Sequence, residues 1–111
     1  MSLDVTLIDP TATYEPQELY TGNITHNLNK MAVECNLYDV LWSPIENGYT
    51  VAEEIIDTLE LGLNDLKKKP NYYEQFNSPN GWGLYKHFVP FVENYLNACK
   101  EYPKAKIEIS K

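Results

Sequence analysis

The chain lacks any long apolar run. No stretch approaches the ~20 apolar residues that a membrane-spanning helix needs, so no membrane partner is expected. The opening, Met1 to Pro10, has neither the basic segment nor the apolar core of a secretory leader, and the expectation is a cytoplasmic protein. On that expectation the Asn23-Ile24-Thr25 sequon carries no weight. Cysteine is scarce: Cys35 and Cys99 both fall on apolar helical faces and read as reduced core thiols. Histidine is equally scarce, and neither His26 nor His87 stands at metal-ligand spacing from a cysteine, so no metal is expected. Basic residues are few as well, nine against sixteen acidic, for a net charge of −7. Only Lys67-Lys68-Lys69 cluster, at a helix end, so the basic footprint of direct nucleic-acid binding is missing. Neither a Walker A pattern nor a dinucleotide fingerprint occurs, and no cofactor is expected. Internal repeats, low-complexity runs and linkers are absent too, so residues 1–111 read as one domain.

What is present has clear periods. Leu3, Val5 and Leu7 alternate with Asp4 and Thr6, the pattern of a half-buried strand that Asp9-Pro10 stops. Residues 11–22 hold Pro16 and Gly22 and show no clear period, so they read as a loop with one turn around Glu15–Leu19. From Asn23 to Trp42 a helical step of ~100° gathers Ile24, Leu28, Met31, Ala32 and Cys35 on one apolar arc. Asn23 is a suitable N-cap, a second short turn follows over Leu37–Leu41, and Ser43-Pro44 ends it. Thr50 and Glu53 form a capping box before a helix that begins at Val51 and whose stripe is Val51, Ala52, Ile55, Ile56, Leu59, Leu63 and Leu66; Leu61 falls off it. Pro70 ends that helix, and Tyr72, Tyr73 and Phe76 are expected to fold onto the core from a short turn. A last helix buries Leu84, Phe88, Val92, Tyr95, Leu96 and Cys99 and carries Pro90 on its polar face. Ala105, Ile107 and Ile109 alternate in a closing strand. The expected fold is α+β: three main helices packed with a small two-stranded sheet formed by the N- and C-terminal strands.

Two stretches carry candidate binding chemistry. On a helix, Asn23, His26 and Asn27 stand at i, i+3 and i+4 and reach one ligand. The turn Asn80-Gly81-Trp82-Gly83 leads into a helix whose N-terminus favours an anion. Its glycines let backbone N–H groups approach a ligand, and Trp82 and Tyr85 offer stacking faces. Trp42 is a further candidate ligand contact, in a chain rich in tyrosine. Neither histidine has a nucleophile or carboxylate at motif spacing, so no catalytic residue is assigned.

The set Asn23-Ile24-Thr25-His26-Asn27-Leu28, Leu37-Tyr38 with Leu41-Trp42-x-Pro44, and Asn80-Gly81-Trp82-Gly83-x-Tyr85 resembles a family of small phage and prophage proteins. The resemblance runs from about Asn23 to the C-terminus. It implies a phage-encoded protein and assigns it no activity. Together the residues favour a non-catalytic binding protein with a polar and aromatic pocket for a small polar, nucleotide-like ligand. The alternatives are an acidic module that inhibits a host protein and a small enzyme using His26. The pattern leaves a homo-oligomer open.

Overall fold

Leu3, Val5 and Leu7 have no exposed surface, and the strand they define is the centre of the sheet. The computed structural model describes residues 2–11, 15 and 17–111. Along it run β1 (Ser2–Ile8), β2 (Glu18–Thr25), α1 (Asn29–Glu34), α2 (Tyr38–Trp42), α3 (Ile56–Lys68), α4 (Pro70–Glu74), α5 (Tyr85–Glu101) and β3 (Lys106–Ser110). Short 3-10 turns, His26–Leu28 and Ala52–Ile55, lead into α1 and α3. The architecture is α+β, and no described helix is long and apolar enough to cross a membrane.

The terminal strands pair as expected. β3 lies antiparallel to β1, with Ile107 opposite Leu7 and Ile109 opposite Val5, so both ends of the chain meet in one sheet. A third strand completes it, in the order β2-β1-β3. This overturns two expectations. Glu18 and Leu19 belong to β2 rather than to a loop turn; Ala12–Tyr14 and Pro16 of that predicted loop lie outside the described residues. Nor does a helix begin at Asn23, which pairs with Asp4 inside β2. Helical winding starts only after Thr25, whose Oγ1 accepts the Asn27 N–H at 3.3 Å.

The register supplies the physical reason. Tyr20, Gly22 and Ile24 stand opposite Leu7, Val5 and Leu3. A strand therefore buries Ile24 as well as a helix would, and it also satisfies the hydrogen-bonding edge of β1. Thr21 and Asn23 face the other side, where Thr21 meets the Thr6 hydroxyl at 3.3 Å and Asn23 Nδ2 donates to Asp4 Oδ1 at 2.5 Å.

The helices cover the inner face of the sheet. α5 buries Phe88, Val92, Tyr95, Leu96 and Cys99 of the expected stripe; Leu84 caps it from outside the helix and is only half-buried, and the exposed Pro90 leaves the helix continuous. α3 buries Leu59, Leu63 and Leu66, with Leu61 exposed. Its cap differs from the expected Thr50–Glu53 box. Glu54 Oε1 accepts the N–H groups of both Thr50 and Val51 at 2.9 Å, while Glu53 pairs with Lys104. Of the aromatics around α4, Tyr73 is buried and Phe76 half-buried, but Tyr72 stays exposed and donates to Glu34.

Candidate functional site

The site is built along β2. An open cleft of about 1170 Å3 is lined by the unbroken run from Tyr20 to Leu28, by Asn80 and Trp82 of the glycine-rich turn, and by His87, Phe91 and Asn94 of α5. The last three stand at i, i+4 and i+7 and so share one face of α5. Tyr20 anchors strand to helix by stacking on Tyr95, with ring centroids 6.0 Å apart.

Of the residues singled out in the sequence, Asn23, His26, Asn27, Asn80 and Trp82 line this cleft together. The two motifs meet through one hydrogen bond, Asn27 Nδ2 donating to the Trp82 carbonyl at 2.8 Å. Trp82 is 71% exposed, so its indole is a free stacking face and not a core plug. Asn23 joins the cleft as part of a strand edge, because its own amide is held by Asp4.

His26 is fixed from behind. Trp42 Nε1 donates to His26 Nδ1 at 3.0 Å, which leaves the proton of the neutral imidazole on Nε2. Nε2 is buried and has no partner among the described residues. A base needs an accessible lone pair, and the one on Nδ1 already holds the indole proton.

The remaining candidates lie elsewhere. Trp42 is 2% exposed and touches the cleft only through His26. Tyr85 turns to α3, its hydroxyl donating to the Leu66 carbonyl at 2.6 Å, and burial pushes its phenol up. Gly81 and Gly83 shape the turn without lining the cleft. Both have positive φ, +79° and +110°. A Cβ on Gly83 would also lie 2.9 Å from Asn27 Cβ, so glycine is what lets the two motifs touch.

Several of the amides that an anion would use at this turn are already bonded. The Gly81 N–H donates to the Ser78 carbonyl at 3.1 Å, and the Trp82 N–H to Asn80 Oδ1 at 2.9 Å. The first amide of α5, on Tyr85, donates to Asn77 Oδ1 at 2.7 Å, where an anion would otherwise sit. Asn77 already does what a bound anion would do.

The cleft is electrically unlike the rest of the molecule. None of the sixteen acidic or nine basic residues lines it, although the chain carries −7. Its polar groups are amides, hydroxyls and the two imidazoles of His26 and His87. Burial, reinforced by the nearby Cys99 thiol, pushes the Tyr20 phenol above its ordinary range. The basic residues are all lysines, so the chain offers no guanidinium fork for a phosphate.

Sequence reasoning missed Tyr20, His87, Phe91 and Asn94. The i, i+4, i+7 spacing of the α5 trio was available as a signal. Tyr20 was hidden with the rest of β2. Among the described residues, no three His, Cys, Asp or Glu side chains converge in a way that could hold a metal. Comparison of the chain with protein-family models, with curated proteins and with solved structures finds no match.

Proposed function

We propose that the protein is a non-catalytic binding protein and that the cleft along β2 holds an uncharged, polar ligand with flat hydrogen-bonding groups. The observation that carries this reading is the neutral lining: four asparagines, two imidazoles and an exposed indole in a chain of net charge −7. Neutral amides pair with neutral donors and acceptors, and Trp82 stacks on a planar group. Of a nucleotide, such a cleft suits the base and offers the phosphates no cation. The buried thiols of Cys35 and Cys99 suit a reducing compartment, so the reading locates this binding in the cytoplasm.

The test uses the indole N–H resonances, since Trp82 is exposed and Trp42 buried. Nicotinamide, adenosine and adenosine monophosphate are titrated into the isotope-labelled full chain. The neutral compounds are expected to shift the Trp82 resonance and to leave Trp42 in place. Trp82→Ala and Asn27→Ala are expected to weaken that binding at least tenfold, about 1.4 kcal/mol, with the circular dichroism unchanged. Silence of Trp82 toward every neutral compound, or a response to the phosphate alone, overturns the reading.

A further inference from the structure

The two edges of the sheet are treated differently. The outer edge of β3 is covered where the strand begins: Thr50 O accepts the Ile107 N–H at 2.9 Å, Val51 bridges to Lys106, and the Ala52 N–H donates to Ala105 O at 2.9 Å. The outer edge of β2 is not. Among the described residues, the backbone of Leu19–Ile24 bonds to β1 and to nothing else. Strand geometry leaves every second residue of such an edge with an N–H and a C=O pointing outward. Exposed edges are commonly blunted by lysine, proline or charge; β2 has a charge only at its first residue, Glu18, and Leu19 to Thr25 contains none of these. Instead, this edge lies open in the cleft, beside the His87, Phe91 and Asn94 face of α5.

From this juxtaposition we infer that the cleft takes an extended peptide segment of a partner protein, uncharged where it faces the cleft, which adds to β2 as a fourth strand. The inference rests on the reading of the cleft as a neutral ligand site and names the ligand. A peptide bond is itself an uncharged, planar group with one donor and one acceptor, which is the chemistry of the lining. The strand order becomes peptide-β2-β1-β3, and the peptide's backbone satisfies the outward groups of Tyr20–Thr25. Its side chains alternate. One set turns to Phe91, His87 and Trp82, where an aliphatic or aromatic residue is held. The other set faces solvent on the side of Thr21 and Asn23, beside Asp4. The net charge of −7 repels acidic segments and attracts basic ones.

Gly22 and Phe91 set how strand and helix meet. A Cβ on Gly22 would lie 3.2 Å from Phe91 Cε1 and 3.0 Å from the Tyr20 hydroxyl oxygen. With glycine there, Phe91 packs down against the strand, and the edge beside it stays reachable.

The experiment pans a displayed library of random octapeptides on the full chain and synthesises the peptide most enriched. Two readouts follow. Hydrogen exchange is expected to slow at least tenfold at alternate amides between Tyr20 and Thr25 when the peptide is bound. N-methylation of one alternating set of the peptide's amides is expected to weaken binding at least about tenfold, and methylation of the other set to leave it within about twofold. A peptide that binds without protecting β2, or that tolerates methylation in both sets, overturns strand addition. If no peptide enriches while neutral small molecules still move the Trp82 indole, strand addition falls and the neutral cleft stands. If neither peptide nor small molecule moves it, both fall.

Discussion

Trp42 acts on the cleft from a distance of one hydrogen bond. Its ring is stacked on Tyr38, with centroids 5.4 Å apart and planes within 6°, and its only polar side-chain atom is spent on His26 Nδ1. Replacing it with phenylalanine keeps an aromatic ring in the stack and removes that donor. The imidazole then loses the bond that fixes its tautomer and orientation. Trp42→Phe is expected to cost about 1–3 kcal/mol, the range for leaving a buried acceptor unpaired. Urea unfolding of the two proteins measures it. A loss below about 0.5 kcal/mol would mean that solvent takes the place of the indole and that His26 is not held in this way. Tyr85 makes the same point: a nominated ligand contact is a strut between helices, tied to the Leu66 carbonyl. Both residues were visible in the sequence as aromatics with polar tips. What the sequence withheld was the direction in which each tip points.

The elements that were legible are those with an uninterrupted period. The stripes of α3 and α5 and the alternation of β1 and β3 each place an apolar residue at every inward position but one or two. β2 breaks this pattern at its middle. Gly22 occupies an inward position with no apolar side chain to mark it, and Asn23 after it imitates a helix cap. Tyr20 and Ile24 alternating with Thr21, Asn23 and Thr25 was the remaining signal, and the helical arc beginning at Ile24 outweighed it. The cleft inherited this blindness: the turn and the Asn27 motif were readable, while the strand that joins them was not.

Glycine within an element has a second meaning in α3. A Cβ on Gly62 would lie 2.4 Å from both Cγ and Cδ2 of Leu37, at the join of α1 and α2. Helix propensity alone favours alanine there by roughly 1 kcal/mol. Overpacking costs about 1–3 kcal/mol and outweighs that preference, because Leu37 is itself fully buried and has nowhere to move. Gly62→Ala is therefore expected to destabilise. In a Leu37→Ala background the same change should turn neutral or stabilising, by at most about 1 kcal/mol. A Gly62→Ala protein that melts higher than the parent on its own would show that propensity wins.

At the scale of the molecule, the neutral interior sets the response to alkali. Cys35 and Cys99 are buried, and burial pushes both thiols up to about 12 from 9.0. Burial raises Tyr95 and Tyr73 in the same direction, the Asp65 carboxylate adding to the effect on Tyr73. The unfolded chain therefore gives up these protons before the folded one does. The stability they contribute is whole below pH 9 and drains as pH rises toward about 12. Each thiol steepens the fall by up to ~1.4 kcal/mol per pH unit, and the two phenols join above pH 10. On the acid side Asp9, Glu54 and Asp65 are held low by hydrogen bonds, so stability declines only as pH drops below their ordinary values of 3.8 and 4.5. The urea midpoint should thus form a plateau across neutral pH and fall steeply from pH 9. Cys99→Ala should make that fall shallower without moving its onset, whatever the cavity it leaves costs at pH 7. If the slope between pH 9 and 11 is the same in both proteins, the thiol is already ionising in the folded chain, and the helix α5 that encloses it is more open than its packing implies.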